Sequence, residues 1–432
     1  MSAATSSLPV LETAPGAPAA TTAPAKPSIL HQPKAVWAVA FAAVVSFMGI
    51  GLVDPILPAI ARDLEASPAQ TQLLFTSYLA VTGLAMFFTS WVSTRIGAKR
   101  TLLIGLAVIV VFAALAGFSG SVDGVIGFRA GWGLGNALFI STALATIVGA
   151  ASGGAAQAII LYEAALGLGI AIGPLLGGAL GSLSWRAPFF GTAVLMAVGF
   201  IAIMTMLRTD AARPAPTRLS APFRALAKPG LGVMATAAFC YNIGFFVLLA
   251  YTPFALEAIG MGSAVSLGLI FFGWGLAVAV TSVWAAPWLT ARLRRTVVLR
   301  IVLPLLALDL VAAALLVHSL VGLIVCVIVG GLFLGVLNTV LTECSMEAAD
   351  VPRPVASSAY SGVRFLGGAI APPVATLIAG AFGGEWAFVF GAAAVLAATL
   401  VIVLGRRALV RADAGEEHAP EVAQAIAFGD AA

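Results

Sequence analysis

Charge is what this chain of 432 residues has least of. Asp, Glu, Lys and Arg together make up 9% of it, against roughly a quarter in soluble domains. So few charges cannot cover the surface of a water-soluble protein of this size, which excludes an ordinary cytosolic enzyme, a disordered chain and a nucleic-acid-binding one. Cysteine is nearly absent too. Cys240, Cys326 and Cys344 are odd in number, lie in or beside apolar runs and keep no metal-ligand spacing; this argues against a disulfide framework and against a zinc site. The histidines His31, His318 and His418 are too dispersed for a metal cluster. No GxxxxGK[ST] run occurs, so the sequence encodes no ATP-hydrolysing module of the phosphate-loop kind.

What the chain has is apolar sequence, 61% of all residues, gathered into runs of about 20, each long enough to cross a hydrocarbon core of roughly 30 Å as a helix. They fall near 35–59, 70–91, 101–118, 124–149, 156–181, 188–207, 230–254, 264–287, 297–317, 320–344, 355–380 and 386–405. The runs are too long and too uniformly apolar for barrel strands, and lipid admits only helices or closed barrels. Twelve transmembrane helices in an all-α polytopic membrane protein is therefore the expectation. Residues 1–34 are rich in Ala, Pro, Thr and Ser, lack the layout of a signal peptide and read as a disordered tail; 409–432 read as a second tail.

Charge placement orients this bundle. With the N-terminus inside, eighteen of the 22 Lys and Arg lie on one side. Only Arg62 and Arg186 fall on the other, and Arg129 and Arg364 lie within helices. That asymmetry places both termini in the cytoplasm. The long basic loop 208–229 splits the helices into bundles at 35–207 and 230–408, and the two resemble one another at an offset near 198. Asp54-Pro55 meets Thr252-Pro253, and Trp91 and Arg95 meet Trp288 and Arg292. Tyr162, Gly169 and Pro174 meet Tyr360, Gly367 and Pro372. Gly169, Gly173, Gly177 and Gly181, four apart, form a stripe that lets a neighbouring helix approach closely. Two pseudo-symmetric six-helix halves are the plan of many secondary transporters, whose ligand site lies between the halves near mid-membrane.

Ionisable groups inside membrane helices are costly and mark function. Asp54 and Arg129 fall at similar depth. Burial disfavours a charged carboxylate and a nearby cation favours it, an opposition that suits a reversible proton site; the alternative is a static ion pair. Glu163 is a lone carboxylate that binds protons, binds a cationic substrate or caps a water-filled vestibule. Arg364, one turn from the repeat counterpart of Glu163, is expected to pair with Glu163 or Glu343, or to anchor an anionic substrate. Asp309 and Glu343 are weaker candidates, with Glu343 read as solvated at the membrane edge. Tyr78, Asn136, Tyr162, Tyr241, Asn242, Asn338 and Tyr360 supply polar groups for a substrate cavity, or else hydrogen bonds between helices. Trp37, Trp91, Trp185, Trp288 and Trp386 read as interfacial anchors.

At these residues the chain resembles the major facilitator superfamily, and within it the twelve-helix drug–proton antiporters, including exporters grouped with bacillibactin efflux proteins. SWVSTRIGAKR at 90–100 is similar to the superfamily's inner-loop signature, with Arg95, Gly97, Lys99 and Arg100 in place. It departs at Ser90 and at Thr94, where the signature has glycine and aspartate. RAGWGLGNA at 129–137 resembles the fourth-helix motif, whose arginine is tied to proton coupling. GIAIGPLLGG at 169–178 resembles the antiporter signature of the fifth helix, which implies gating roles for Gly169, Gly173, Pro174, Gly177 and Gly178. DPILPAIARDL at 54–64 and SWRAPFF at 184–190 resemble bacterial multidrug exporters.

The resemblance implies a monomeric, non-enzymatic transporter without cofactor, driven by the proton gradient. It would export lipophilic, cationic or neutral drugs by alternating access, and its partners are substrate, protons and membrane lipid. A dedicated metabolite or siderophore exporter, a proton-coupled importer of a small solute and a non-transporting scaffold are the rival expectations. With Thr94 in place of the aspartate, the loop's cations are expected to bind helix C-termini, whose dipoles are negative.

Overall fold

The computed structural model describes residues 32–151, 154–208, 216–261, 263–349 and 351–410; most of both predicted tails and part of the central loop lie outside these. Among the described residues there are twelve helices long and apolar enough to cross a membrane. They are α1 (Lys34–Gly51), α2 (Pro68–Ile96), α3 (Ala98–Phe118), α4 (Val122–Ala150), α5 (Gly154–Gly181) and α6 (Ala187–Met206) in the first half. The second half holds α7 (Pro229–Ala258), α8 (Val265–Thr290), α9 (Arg295–Leu315), α10 (Leu320–Ala348), α11 (Arg353–Phe382) and α12 (Gly384–Leu404). Local chemistry sets several ends. Ser67 and Gln70 form a reciprocal capping box ahead of α2, and Ser121 and Ser319 cap α4 and α10, each satisfying a backbone N–H that has no partner inside the helix.

The first helix corrects the expectation of one run over 35–59. It ends at Gly51, turns through a 3₁₀ segment at Asp54–Ile56 and resumes as a short helix, Leu57–Asp63. Pro55 sits at the break, with no N–H to continue the ladder from Gly51, and Pro58 falls in the first turn of the short helix, where no such N–H is needed. The repeat counterpart, Thr252-Pro253, behaves differently. There α7 widens into a π-helical turn at Val247–Tyr251 and carries on as Thr252–Ala258.

Close packing follows the small residues. Added side-chain carbons at Gly169 and Gly177 would strike the carbonyls of Val44 and Leu52, and one at Gly173 would lie 2.6 Å from Met48 O, so the stripe on α5 seats α1 down to its break. Gly367 on α11 sits against the Phe239 carbonyl of α7 in the same way, as the repeat requires. The halves meet along two seams. On α5 and α8, Gly275 faces Ala171 and Gly167; on α2 and α11, Gly83 faces Gly362 and Leu366.

On the side of the basic loops the halves also touch end to end. Ser357 Oγ donates to Ser141 O at 2.9 Å, and Arg353 reaches Val148 O at 3.4 Å. The central loop lies beneath α2, with Phe223 of the short helix Ala221–Leu226 stacked on Phe87 at 5.0 Å. These contacts tie the halves together on the basic-loop side.

Candidate functional site

Three helices of different origin bring polar side chains together about a third of the way across the bundle from the basic-loop side. Glu163 comes from α5, Asn338 and Thr342 from α10, and Arg364 from α11. Asn338 and Thr342 share a face because they are four apart on one helix. Glu163 Oε1 accepts from Thr342 Oγ1 at 2.8 Å and from the Arg364 guanidinium at 3.3 Å. Arg364 also donates to Asn338 Oδ1 at 2.9 Å, and the same oxygen accepts from Tyr241 OH at 2.9 Å. Glu163 is wholly buried, and its Oε2 accepts no hydrogen bond from the described residues.

Tyr162, Tyr241 and Tyr360 lie within electrostatic reach of Arg364, and Phe47 meets Tyr162 edge-on at 5.5 Å. The site is therefore a buried ion pair walled by aromatic rings, with one carboxylate oxygen open. Both partners of Glu163 belong to the other half of the protein. Of the pairings expected for Arg364, this is the one formed.

A second buried arginine sits towards the opposite side. Arg129 on α4 donates to Gly49 O and Leu74 O, each at 3.1 Å. Gly49 lies in the last turn of α1, where the break leaves carbonyls without intrahelical partners and the helix dipole is negative. Arg129 thus caps the broken end. Its guanidinium lies over the rings of Tyr78 (4.5 Å) and Trp132 (5.1 Å), a cation–π cradle. Gly49 has no side chain to spare here, since an added carbon would lie 2.6 Å from the Trp132 ring. Asp54 falls in the 3₁₀ turn just beyond; its side chain is outside those described.

The remaining candidates separate. Tyr78 joins Arg129 rather than the central pair. Asn136 accepts from Ser46 across α4 and α1, and Asn242 bonds Ala238 O in its own helix at 3.0 Å. In the first turn of α3, Lys99 Nζ donates to Met204 O in the last turn of α6 at 2.8 Å, the contact with a helix C-terminus expected of the inner-loop signature. Arg95 lies over Trp91 at 4.3 Å, and its repeat counterpart Arg292 over Trp288 at 4.1 Å. Arg100 is exposed, and Gly97 adopts φ +91° at the turn, where glycine alone is unstrained. Thr94 docks the central loop through Thr217, at 3.1 Å from both its hydroxyl and its N–H.

Two readings are corrected. Glu343 is not solvated: it is 4% exposed and pairs with Arg295 at 3.0 Å, which Glu347 also meets at 2.8 Å. The start of α9 folds over the end of α10 and covers it. Trp185 is buried against Phe189 rather than placed at an interface. Sequence reasoning missed Thr342, Thr217 and Ser46. For Thr342 there was a signal, a hydroxyl one turn from Asn338; for the other two there was none.

Comparison with known proteins adds the following. The model of the Major Facilitator Superfamily matches residues 39–353. The chain is 53% identical over 393 residues, 90% of its own length and 98% of the relative's, to multidrug efflux protein YfmO of Bacillus subtilis. It is 28% identical to the tetracenomycin C resistance and export protein of Streptomyces glaucescens, over 55% of this chain and 44% of that one. It is also 28% identical to the class B tetracycline resistance protein of Escherichia coli, over 37% and 41%. The structure of the human organic anion transporter MFSD10 superposes with a TM-score of 0.73, covering 85% of this chain and 99% of that one at 16% identity, a likeness of fold.

Proposed function

The chain belongs to the major facilitator superfamily, and from that premise we propose that it exports lipophilic, cationic or neutral drugs in exchange for protons. The setting is the bacterial inner membrane, with both termini in the cytoplasm, and the cycle is alternating access of the two halves. The relatives named for multidrug efflux and drug resistance support the substrate class. The observation that carries the coupling is the Glu163–Arg364 pair, because it joins the halves towards the basic-loop side.

The chemistry follows from that position. With Glu163 ionised, Thr342 and Arg364 hold the second half against α5 and keep the cytoplasmic side shut. Rocking would leave a buried charge unpaired, at a cost of about 3–5 kcal/mol. Since about 1.4 kcal/mol is tenfold, the empty, deprotonated carrier stays where it is.

A proton from outside neutralises Glu163 and weakens the tie to Arg364, and the halves can then rock open to the cytoplasm. There the proton leaves and substrate takes the aromatic-walled space, a cationic or hydrogen-bond-donating group facing the open Oε2. Proton and substrate thus favour different states, as any such shift requires. Arg364 is already engaged by Glu163 and Asn338, which favours this cycle over one in which it anchors an anion. Asp54 and Arg129 form a second, outer element of the same coupling, with Arg129 fixing the break in α1.

The test uses purified protein in liposomes with an imposed pH gradient and a fluorescent lipophilic cation. Glu163→Gln is expected to abolish gradient-driven accumulation while sparing downhill exchange. Wild-type accumulation in that variant would remove Glu163 from the coupling role.

A further inference from the structure

Away from the central network, one carboxyl of the second half stands in apolar surroundings. Asp309 lies in the body of α9, 7% exposed, and its Oδ2 accepts no hydrogen bond from the described residues. Three helices converge on it. A side-chain carbon at Gly330 on α10 would come within 2.9 Å of Oδ2 and 2.8 Å of Leu248 on α7, so the missing side chain of Gly330 is what makes room for the carboxyl.

Leu248 belongs to the π-helical turn Val247–Tyr251, a feature that recurs at functional sites. The titratable group facing Asp309 is the Cys326 thiol, one turn from Gly330 on α10. Along α12, which packs on α9, the ionisable group is Glu385 in the first turn. On α7, Tyr241 is turned to Asn338. On α9 itself, the nearest charge towards the basic-loop side is Arg300, nine residues away.

An ionised carboxylate in such a place is costly without a counter-charge. The neutral acid leaves at most an unmade hydrogen bond, a much smaller penalty. We propose that Asp309 is a second proton-binding carboxyl, in the second half, holding its proton in this closed packing of α7, α9 and α10 and releasing it when that seam opens. Discharge would set a bare charge against Gly330 and Leu248, so it requires water between those helices or movement of the π-helical turn. The role in transport rests on the antiport reading above; proton binding by Asp309 does not.

The test treats the full chain in liposomes with dicyclohexylcarbodiimide across a pH series and maps modification by mass spectrometry. A neutral carboxylic acid adds to the carbodiimide as an O-acylisourea, which rearranges to a stable N-acylurea. Asp309 is expected to be modified, with labelling falling roughly tenfold per pH unit above a single midpoint. Asp309→Asn and Asp309→Leu, which cannot carry a proton, are expected to alter the pH profile of efflux in the same way while leaving the protein folded. Absence of modification at every pH overturns the proposal. So does pH-independent modification with a wild-type pH profile in both variants, which makes Asp309 a structural acid. Titrating modification in a protein without gradient-driven transport supports the proton site and overturns the antiport reading alone.

Discussion

Arg129 and Arg364 are both arginines buried inside membrane helices, and they sit in quite different company. The described partners of Arg129 all lie in the first half: two backbone carbonyls and two aromatic rings. Those of Arg364 include a carboxylate from the opposite half. A bond to a backbone carbonyl cannot titrate and here stays within one half, so the contacts of Arg129 with Gly49 and Leu74 brace that half. A cation held by a carboxylate across a moving interface is released when that carboxylate is neutralised, so it can report a proton to the whole molecule. The difference also accounts for the absence of an arginine at the repeat counterpart of Arg129, which is Val327. In the first half the chain breaks and leaves carbonyls to be capped, whereas in the second α7 passes the same point in a π-helical turn that keeps its own bonding.

The comparison can be broken most severely at Arg364. Arg364→Ala should strand the Glu163 charge and cost about 3–5 kcal/mol, read as a lower unfolding temperature in detergent together with loss of gradient-driven efflux. Adding Glu163→Gln to it should restore much of the stability and none of the coupling. Recovery of coupling in the double variant would show that the pair is a brace like Arg129. Arg129→Lys sharpens the other side. It keeps the charge and loses the planar fork that reaches two carbonyls, at about 1.5–3 kcal/mol for hydrogen bonds from a charged group. Uphill efflux and downhill exchange should fall together, since the damage is to the broken helix; selective loss of uphill efflux would put Arg129 in the proton path itself.

Smaller effects separate motion from support in the same way. Gly275→Ala crowds Ala171 across the halves and Gly177→Ala crowds Leu52 within one, and overpacking of either kind costs about 1–3 kcal/mol. The first should alter the balance between states, read as changed cysteine accessibility on the two sides of the membrane; the second should lower thermal stability with that balance kept. The smallest change is expected from Thr94→Val, which removes the docking of Thr217. It should cost about 0.5–1.5 kcal/mol and loosen the central loop, seen as faster proteolysis near 208–229 with efflux largely retained.

Much of this was legible from residues alone, and unevenly so. The Trp91–Arg95 and Trp288–Arg292 repeats predicted matching geometry, and both cation–π pairs form, because each arginine follows its tryptophan by four residues, about one helical turn. The reach of Lys99 to the end of α6 followed from its cation and a helix dipole. Glu343 was misplaced because its distance in sequence from a helix end says nothing of which neighbouring helix covers that end. The α1 break was written in Pro55, yet the matching Pro253 produced no break, so the proline marked the place and the surroundings chose the outcome.

The number of helices, their lengths and the duplication were determined by the sequence itself. Each depends on local properties: enough apolar residues to cross the lipid, backbone bonds closed within one segment, charges gathered in loops. Which buried charge meets which was decided only by the tertiary structure. Glu163 and Arg364 are 201 residues apart, and Glu343, close to Thr342 in sequence, faces Arg295 instead. An ion pair in the membrane interior depends on atoms coming within hydrogen-bond distance in a medium that punishes every unpaired charge, and that distance is set by how ten or more helices pack, not by any one of them.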